Sequence, residues 1–457
     1  MLGKTNHIHF VGIGGIGMSG MAELLHNLGF KITGSDIIES ERTNQLKDIG
    51  IDVNIGHKSS KVNDSDVLVY SSAVNKNNQE IIIANKNNIP VIRRAEMLGE
   101  LLKVKSTSIA IAGTHGKTTT SSMLGSILVE AKLDPTLVIG GVVNEFGSNS
   151  MQGDGDIIVV EADEFDRTFL SLKPTLAIIN NLDLEHLDCY KNLDDLQSAF
   201  LKFANSVPFY GKIFLNIDES NTSKLISSVK RPYITFGFSD KALVQAKNPI
   251  YDKLNSSFDL HIEGIFKTRI DLKLPGKHNI MNALAAISAC LDLEINYDLI
   301  KQGLEKFKGV QRRFDIKYEL ENGIKLIDDY AHHPVEVNSV LNALKKGWNN
   351  RIISIFQPHL FSRTQNFHKE FAQALFQSDL IIITEIYAAR ENPIKGISSK
   401  TIIKDLINLG HSNIKYIPKR NNIAKYVKKI TKSNDLIITM GAGDIWREIE
   451  NIYKILK

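Results

Sequence analysis

The sequence predicts an α/β protein with mostly parallel sheets, laid out in three consecutive blocks. Short apolar runs alternate with longer amphipathic ones along nearly the whole chain, which is the rhythm of β-α-β units. Glycine-rich junctions join two of these apolar runs to helical segments. The 457 residues are too many for one ordinary core and, at about 150 residues per domain, suggest about three.

Composition narrows the class. The 55 Lys and Arg against 51 Asp and Glu leave a net charge of +4, too balanced over this length to argue for a nucleic-acid partner or an acidic membrane surface. Two cysteines, Cys189 and Cys290, cannot form a disulfide framework. No signal-peptide pattern and no apolar run near about 18 residues is present, so membrane insertion is not expected. The expectation is a soluble cytoplasmic protein.

The first block, residues 1–104, has expected strands at 8–11, 31–33, 67–70 and 91–92, and an expected helix at 96–103. Its first strand runs into His9-Phe10-Val11-Gly12-Ile13-Gly14-Gly15-Ile16-Gly17-Met18-Ser19-Gly20, which contains the dinucleotide fingerprint. Small residues at such a turn let the amides of Gly12, Gly14, Gly15, Ile16 and Gly17 approach any pyrophosphate, that of NAD or that of a UDP-sugar. Asp36 follows the second strand, where an acid is often an ordinary loop residue. An NAD-dependent oxidoreductase with an accessory ATPase domain is therefore one reading, but no hydride-transfer constellation accompanies the glycines.

The second block, residues 105–313, opens with an expected strand at 108–112 and the run Gly113-Thr114-His115-Gly116-Lys117-Thr118-Thr119, followed by an expected helix at 118–130. Glycines, a lysine and a hydroxyl between strand and helix build a triphosphate cradle, with Lys117 reaching the β/γ-phosphates of ATP and Thr118 holding Mg²⁺. Ile111 stands where the usual spacing places the first glycine, so the loop is a shortened one. A strand expected at 157–160 ends in Glu161, Asp163, Glu164 and Asp166, and Glu161 is the chosen Mg²⁺ ligand. A strand expected at 176–179 delivers Asn180, Asn181, Asp183, Glu185, His186 and Asp188 to the same edge. His186 is either a metal ligand or a hydrogen-bonded structural residue. Cys189 has no paired base and reads as packing, not as a nucleophile. A strand at 212–215, a less regular stretch from 234 to 274 and a helix at 279–291 complete the block. Before that helix, Pro275-Gly276-Lys277-His278-Asn279 offers either adenine contacts or a turn with Asn279 as helix N-cap.

The third block, residues 314–457, has expected strands at 325–327, 352–356, 380–384 and 436–440. Gln311-Arg312-Arg313-Phe314 and Asp328-Asp329-Tyr330-Ala331-His332-His333-Pro334 bracket its start. The arginines suit phosphate or carboxylate, while adjacent histidines make a poor tetrahedral zinc site.

Taken in order, these motifs resemble the Mur ligases, ATP-dependent amide-forming enzymes of peptidoglycan precursor synthesis, over essentially the whole chain. The glycine run and the Asp329–Pro334 stretch resemble the branch acting on UDP-N-acetylmuramate and L-alanine. The resemblance implies an N-terminal Rossmann-like UDP-substrate domain, a central ATPase domain of P-loop type, and a C-terminal Rossmann-like domain that closes on ATP and amino acid. It further implies catalytic roles for Lys117, Glu161, His186 and His332, the last as a base. Thr118, Glu161 and His186 would bind metal. The ATP set comprises residues 113–119 with His278, Asn279, Asn282 and Arg312. The UDP set is Gly12, Gly14, Gly15, Ile16, Gly17 and Asp36, and the substrate set is Tyr330, His332 and Arg363. Many members carry arginine where this chain has Leu360 in Gln357-Pro358-His359-Leu360-Phe361-Ser362-Arg363. A nucleotide-switched binding protein without chemistry is a further alternative, and the motifs leave monomer and homodimer open.

Overall fold

The computed structural model describes residues 2–57, 60–71, 73–75, 77–145, 147–183, 189–389 and 391–457, the side chains of Ser60 and Asp166 excepted. Among these residues the strands build three sheets. The first holds β1 (His7–Val11), β2 (Lys31–Asp36), β3 (Asp52–Ile55), β4 (Val67–Tyr70) and β5 (Val91–Arg93), all parallel, in the order β3-β2-β1-β4-β5. The chain leaves β1 toward β2 on one side and reaches β4 on the other. The C-terminal end of β1 is thus the switch point at which α/β sheets bind ligands, and the first glycine run starts there.

The second sheet comprises β6 (Thr107–Ala112), β7 (Thr136–Val143), β8 (Ser148–Met151), β9 (Ile157–Ala162), β10 (Leu176–Ile179), β11 (Lys212–Asn216), β12 (Tyr233–Gly237), β13 (Val244–Asp252), β14 (Asn255–Ile262) and β15 (Ile265–Leu272). Its order is β15-β14-β13-β12-β11-β10-β6-β9-β7-β8. β6 lies between β10 and β9 with Ala112 level with Ile179 and Ala162. This register puts the residues that follow β10, and the last residues of β9, on either side of the loop leaving β6. Residues 234–274, expected to be less regular, contain four ordered strands. The cause of the misreading is visible in β14, where Ser256, Phe258 and Leu260 are buried and their neighbours are not. A strand at the margin of a sheet buries alternate residues and lacks the continuous apolar run of β6 or β9.

The third sheet holds β16 (Asp315–Glu319), β17 (Lys325–Asp329), β18 (Ile352–Phe356), β19 (Leu380–Ile383), β20 (Ile414–Tyr416) and β21 (Leu436–Met440), in the order β16-β17-β21-β18-β19-β20. Only β16 pairs antiparallel here. Contacts divide the chain into two compact units, one of residues 1–247, 259–270 and 281–308, the other of residues 248–258, 271–280 and 309–457. In the first unit the helix Ile16–Asn27 packs on β7 and β8, with Asn149 Nδ2 donating to Ile16 O at 2.6 Å and Ser150 Oγ to Glu23 at 3.0 Å.

Candidate active site

The first glycine loop is fastened from below. Gly12, at φ +80°, and Ile13 both donate their amides to Ser35 O, and Gly14 N donates to Asp36 Oδ2 at 2.8 Å. Asp36 therefore holds the loop in shape, and a Cβ on Gly14 would stand 2.9 Å from Thr43 Cγ2 and 3.0 Å from the Asp36 carboxylate. Gly15 is the N-cap of the helix Ile16–Asn27 and supplies no side-chain cap, so the first amides of that helix, with its positive dipole end, are presented to an anion. Gly17 lies in the first turn against Arg94.

The second loop has Gly113 at φ +137° and Gly116 at φ +80°, conformations that a side chain would strain. Gly116 caps the helix Lys117–Glu130, and a Cβ there would lie 2.4 Å from Asn282 Oδ1. The residues after β10 form the wall of the loop. His115 N donates to Asn181 Oδ1 at 2.7 Å, Asn181 Nδ2 donates back to His115 O at 3.1 Å, and Thr114 Oγ1 accepts from Asp183 N at 2.9 Å. Asn180 Nδ2 donates to Thr120 Oγ1, which in turn donates to Asn282 Oδ1 at 3.3 Å. Thr119 is buried, so what it can offer a phosphate is its backbone amide in the first turn.

Lys117 Nζ donates to Gly113 O and to Glu164 Oε2, each at 2.7 Å. Burial alone would lower its pKa, but Glu164, then Asp163, and at lesser weight Glu161 outweigh that effect and hold the amine above its ordinary value. Glu164, 1% exposed, is one of four acids in the run from Glu161 to Asp166, and nothing in the sequence sets it apart from the others. Tyr190 OH donates to Glu164 O at 2.6 Å and fixes that turn. Glu161 accepts from Gly140 N at 2.7 Å, from Ser121 Oγ at 3.3 Å and from Thr118 Oγ1 at 3.2 Å. Its oxygens beside the Thr118 hydroxyl are the hard donors that Mg²⁺ prefers. Among the described residues no group of three His, Cys, Asp or Glu side chains is placed to hold a metal, so phosphate and water oxygens would have to complete the shell. His186 lies outside the described residues.

The helix Lys277–Asp292 begins before Asn279, so Asn279 is not its N-cap. Its Nδ2 donates instead to Pro275 O at 2.8 Å. His278 is pushed down to about 4, by burial first and by the nearby Arg313 second, with Glu336 opposing. It is a neutral imidazole at neutral pH. Arg312 donates to Asp328 at 3.0 Å and to Gly441 O at 2.7 Å, with its guanidinium 4.9 Å from the Tyr330 ring centroid. His332 Nδ1 stands 3.1 Å from both Glu336 Oε2 and Tyr330 O, so Nε2 is the ring nitrogen outside these contacts. The rings of Tyr330 and His332 meet edge-on at 5.1 Å, those of His332 and His359 at 5.9 Å, and His359 stacks on Tyr387. Arg363 Nη1 is 3.2 Å from His359 Nδ1. Tyr330, His332 and Arg363 thus fall in one cluster. His359 and Tyr387 join it without having been foreseen, since Tyr387 sits on a loop with no motif around it. Leu360, at φ +70°, begins the helix Phe361–Leu375 in a conformation rare for a residue with a side chain.

Three family models match in succession: the Mur ligase family catalytic domain over residues 7–106, the Mur ligase middle domain over 111–290 and the glutamate ligase domain over 312–443. The chain belongs to the Mur ligase family. Among similar Mur ligases, the UDP-N-acetylmuramate–L-alanine ligase of Pelobacter propionicus is 44% identical over 459 residues, covering 100% of this chain and 99% of its own. That of Salinibacter ruber is 42% identical over 458 residues, covering 100% and 96%. Among solved structures, UDP-N-acetylmuramate-alanine ligase MurC of Thermotoga maritima superposes with a TM-score of 0.83 at 31% identity over 98% of each chain. A murein peptide ligase of Psychrobacter arcticus gives a TM-score of 0.74 at 25% identity, covering 99% of this chain and 98% of its own. The three-domain α/β architecture expected of a Mur ligase is the one found, and this full-length likeness leaves the oxidoreductase and switch readings without support.

Proposed function

We propose that this Mur ligase joins L-alanine to the lactoyl carboxylate of UDP-N-acetylmuramate while ATP becomes ADP and phosphate. The reading is carried by full-length identity of 42% to 44% with ligases of that name, on a chain that has two separate anion loops. The domains assigned to it are residues 1–104 for the UDP substrate, 105–313 for ATP and 314–457 for the amino acid. The setting is the cytoplasm. No helix among the described residues is long and apolar enough to cross a membrane.

A carboxylate resists attack by an amine because oxide would have to leave. A carboxylate oxygen therefore attacks the γ-phosphorus, ADP departs, and an acyl phosphate forms. The amine of alanine then adds to the acyl carbon, and the tetrahedral intermediate collapses by expelling phosphate, which keeps one former carboxylate oxygen. Two anions must first be brought in line, and the charged Lys117 and the amides of residues 116–119 are the groups that offset their repulsion. Thr118 and Glu161, with His186 as a further ligand, would hold Mg²⁺, which neutralises phosphate charge when bound. His332, its Nδ1 held by Glu336, is assigned the proton released by the attacking amine, and Arg363 the amino-acid carboxylate.

The reading is tested by incubating purified protein with ATP, Mg²⁺, UDP-N-acetylmuramate and L-alanine, glycine or L-serine in parallel. Phosphate is then measured along with product mass. The expected result is stoichiometric phosphate and amide, fastest with L-alanine. Phosphate released at the same rate without any amide product would overturn it.

A further inference from the structure

We propose that Arg94 is a substrate-binding residue whose guanidinium clasps the pyrophosphate of the UDP substrate, an inference that rests on the ligase reading above. Arg94 follows β5 and opens the helix Arg94–Leu101, at the same sheet edge as the first glycine loop. Its side chain reaches back across that loop. A Cβ built on Gly17 would lie 2.3 Å from Arg94 Nη1, 3.2 Å from Cζ and 3.5 Å from Cδ. A side chain at the third glycine of the fingerprint would therefore have to push the tip of the Arg94 side chain aside, whereas the fingerprint alone assigns this glycine to close packing of helix and strand.

This puts the guanidinium beside the open N-terminus of the helix Ile16–Asn27, the place where a pyrophosphate is drawn by amides and dipole. The guanidinium is placed there but not saturated. Its ion pair with Asp163 is 3.8 Å long, between side chains 31% and 44% exposed. Where this fold uses arginine as a fixed strut the geometry is different: Arg351 grips Asp435 with two hydrogen bonds of 2.9 and 2.6 Å. Five donors in a rigid fork, lying beside an anion site and, among the described residues, ion-paired to a carboxylate 3.8 Å away, suit bidentate capture of phosphate oxygens. Asp163 belongs to the acid run that begins at Glu161, so the same guanidinium lies between the UDP loop and the acids around Lys117.

The test measures UDP and uridine binding by calorimetry and steady-state kinetics for wild type, Arg94→Ala, Arg94→Lys, Gly17→Ala and the Gly17→Ala/Arg94→Ala pair. Arg94→Ala should weaken UDP binding and raise the UDP-N-acetylmuramate KM by about tenfold or more. Uridine binding and the ATP KM should stay within about threefold, and Arg94→Lys should recover only part of the loss. Gly17→Ala should raise the same KM by displacing the arginine and add less than about twofold once Arg94 is gone. Equal UDP affinity in wild type and Arg94→Ala would overturn the inference, as would an undiminished Gly17→Ala effect in the Arg94→Ala background. A wild-type protein that binds UDP but makes no amide would instead defeat the ligase reading.

Discussion

Lys117 must stay charged while half-buried, and its neighbours explain how. Glu164 at 2.7 Å supplies the opposing charge, and a phosphate bound by the loop would compete with it for the amine. Lys117→Ala should reduce phosphate release by about a thousandfold or more while leaving UDP affinity near the wild-type value. Because the change takes the Lys117 charge away from the buried Glu164 carboxylate, it should also lower stability, by about 3 kcal/mol, measured by urea unfolding. Adding Glu164→Gln should restore most of that stability and none of the turnover. If the double variant turns over, Lys117 does not have the role given to it. The loop glycines, Lys117, Thr118 and Glu161 are legible in the sequence because their backbone and charge requirements are local. Glu164, Tyr387 and Arg94 are not. Each acts by reaching a residue distant along the chain, and Arg94 reaches Gly17 from the far side of the sheet order.

Among elements, the buried parallel strands can be read directly: β10, β18 and β21 occupy the segments their apolar runs predict. Of the strands that escape notice, β7 is eight residues long and buried over Thr136–Ile139, and the others are short or marginal. β3 buries only Val53, and β16 and β20 expose or half-expose their residues, so no apolar run marks them. The helix Lys277–Asp292 carries a consequence for acid stability. His278, in its first turn, has a pKa of about 4 when folded against 6.5 for the free side chain. Between those values the unfolded chain binds more protons, so stability rises with pH across that window. The contribution is complete above pH 6.5 and is lost as pH falls toward 4, about 3 kcal/mol at about 1.4 kcal/mol per unit. His278→Gln should flatten the pH dependence of the unfolding midpoint between pH 6.5 and 4. A slope identical to wild type would show that this imidazole is not the group responsible.

For the molecule as a whole, three α/β blocks are legible from periodicity. Their grouping is not, since Asn149 and Ser150 join the first block to the second through side-chain hydrogen bonds that no local pattern announces. The glycine fingerprint invites NAD when read alone, and a second anion loop a hundred residues later redirects it to two nucleotides and one carboxyl group to be activated. That activation is open to direct measurement. With ATP, L-alanine and UDP-N-acetylmuramate labelled with ¹⁸O in its lactoyl carboxylate, the phosphate released should carry one ¹⁸O for each amide formed. Amide formation with unlabelled phosphate would contradict the account.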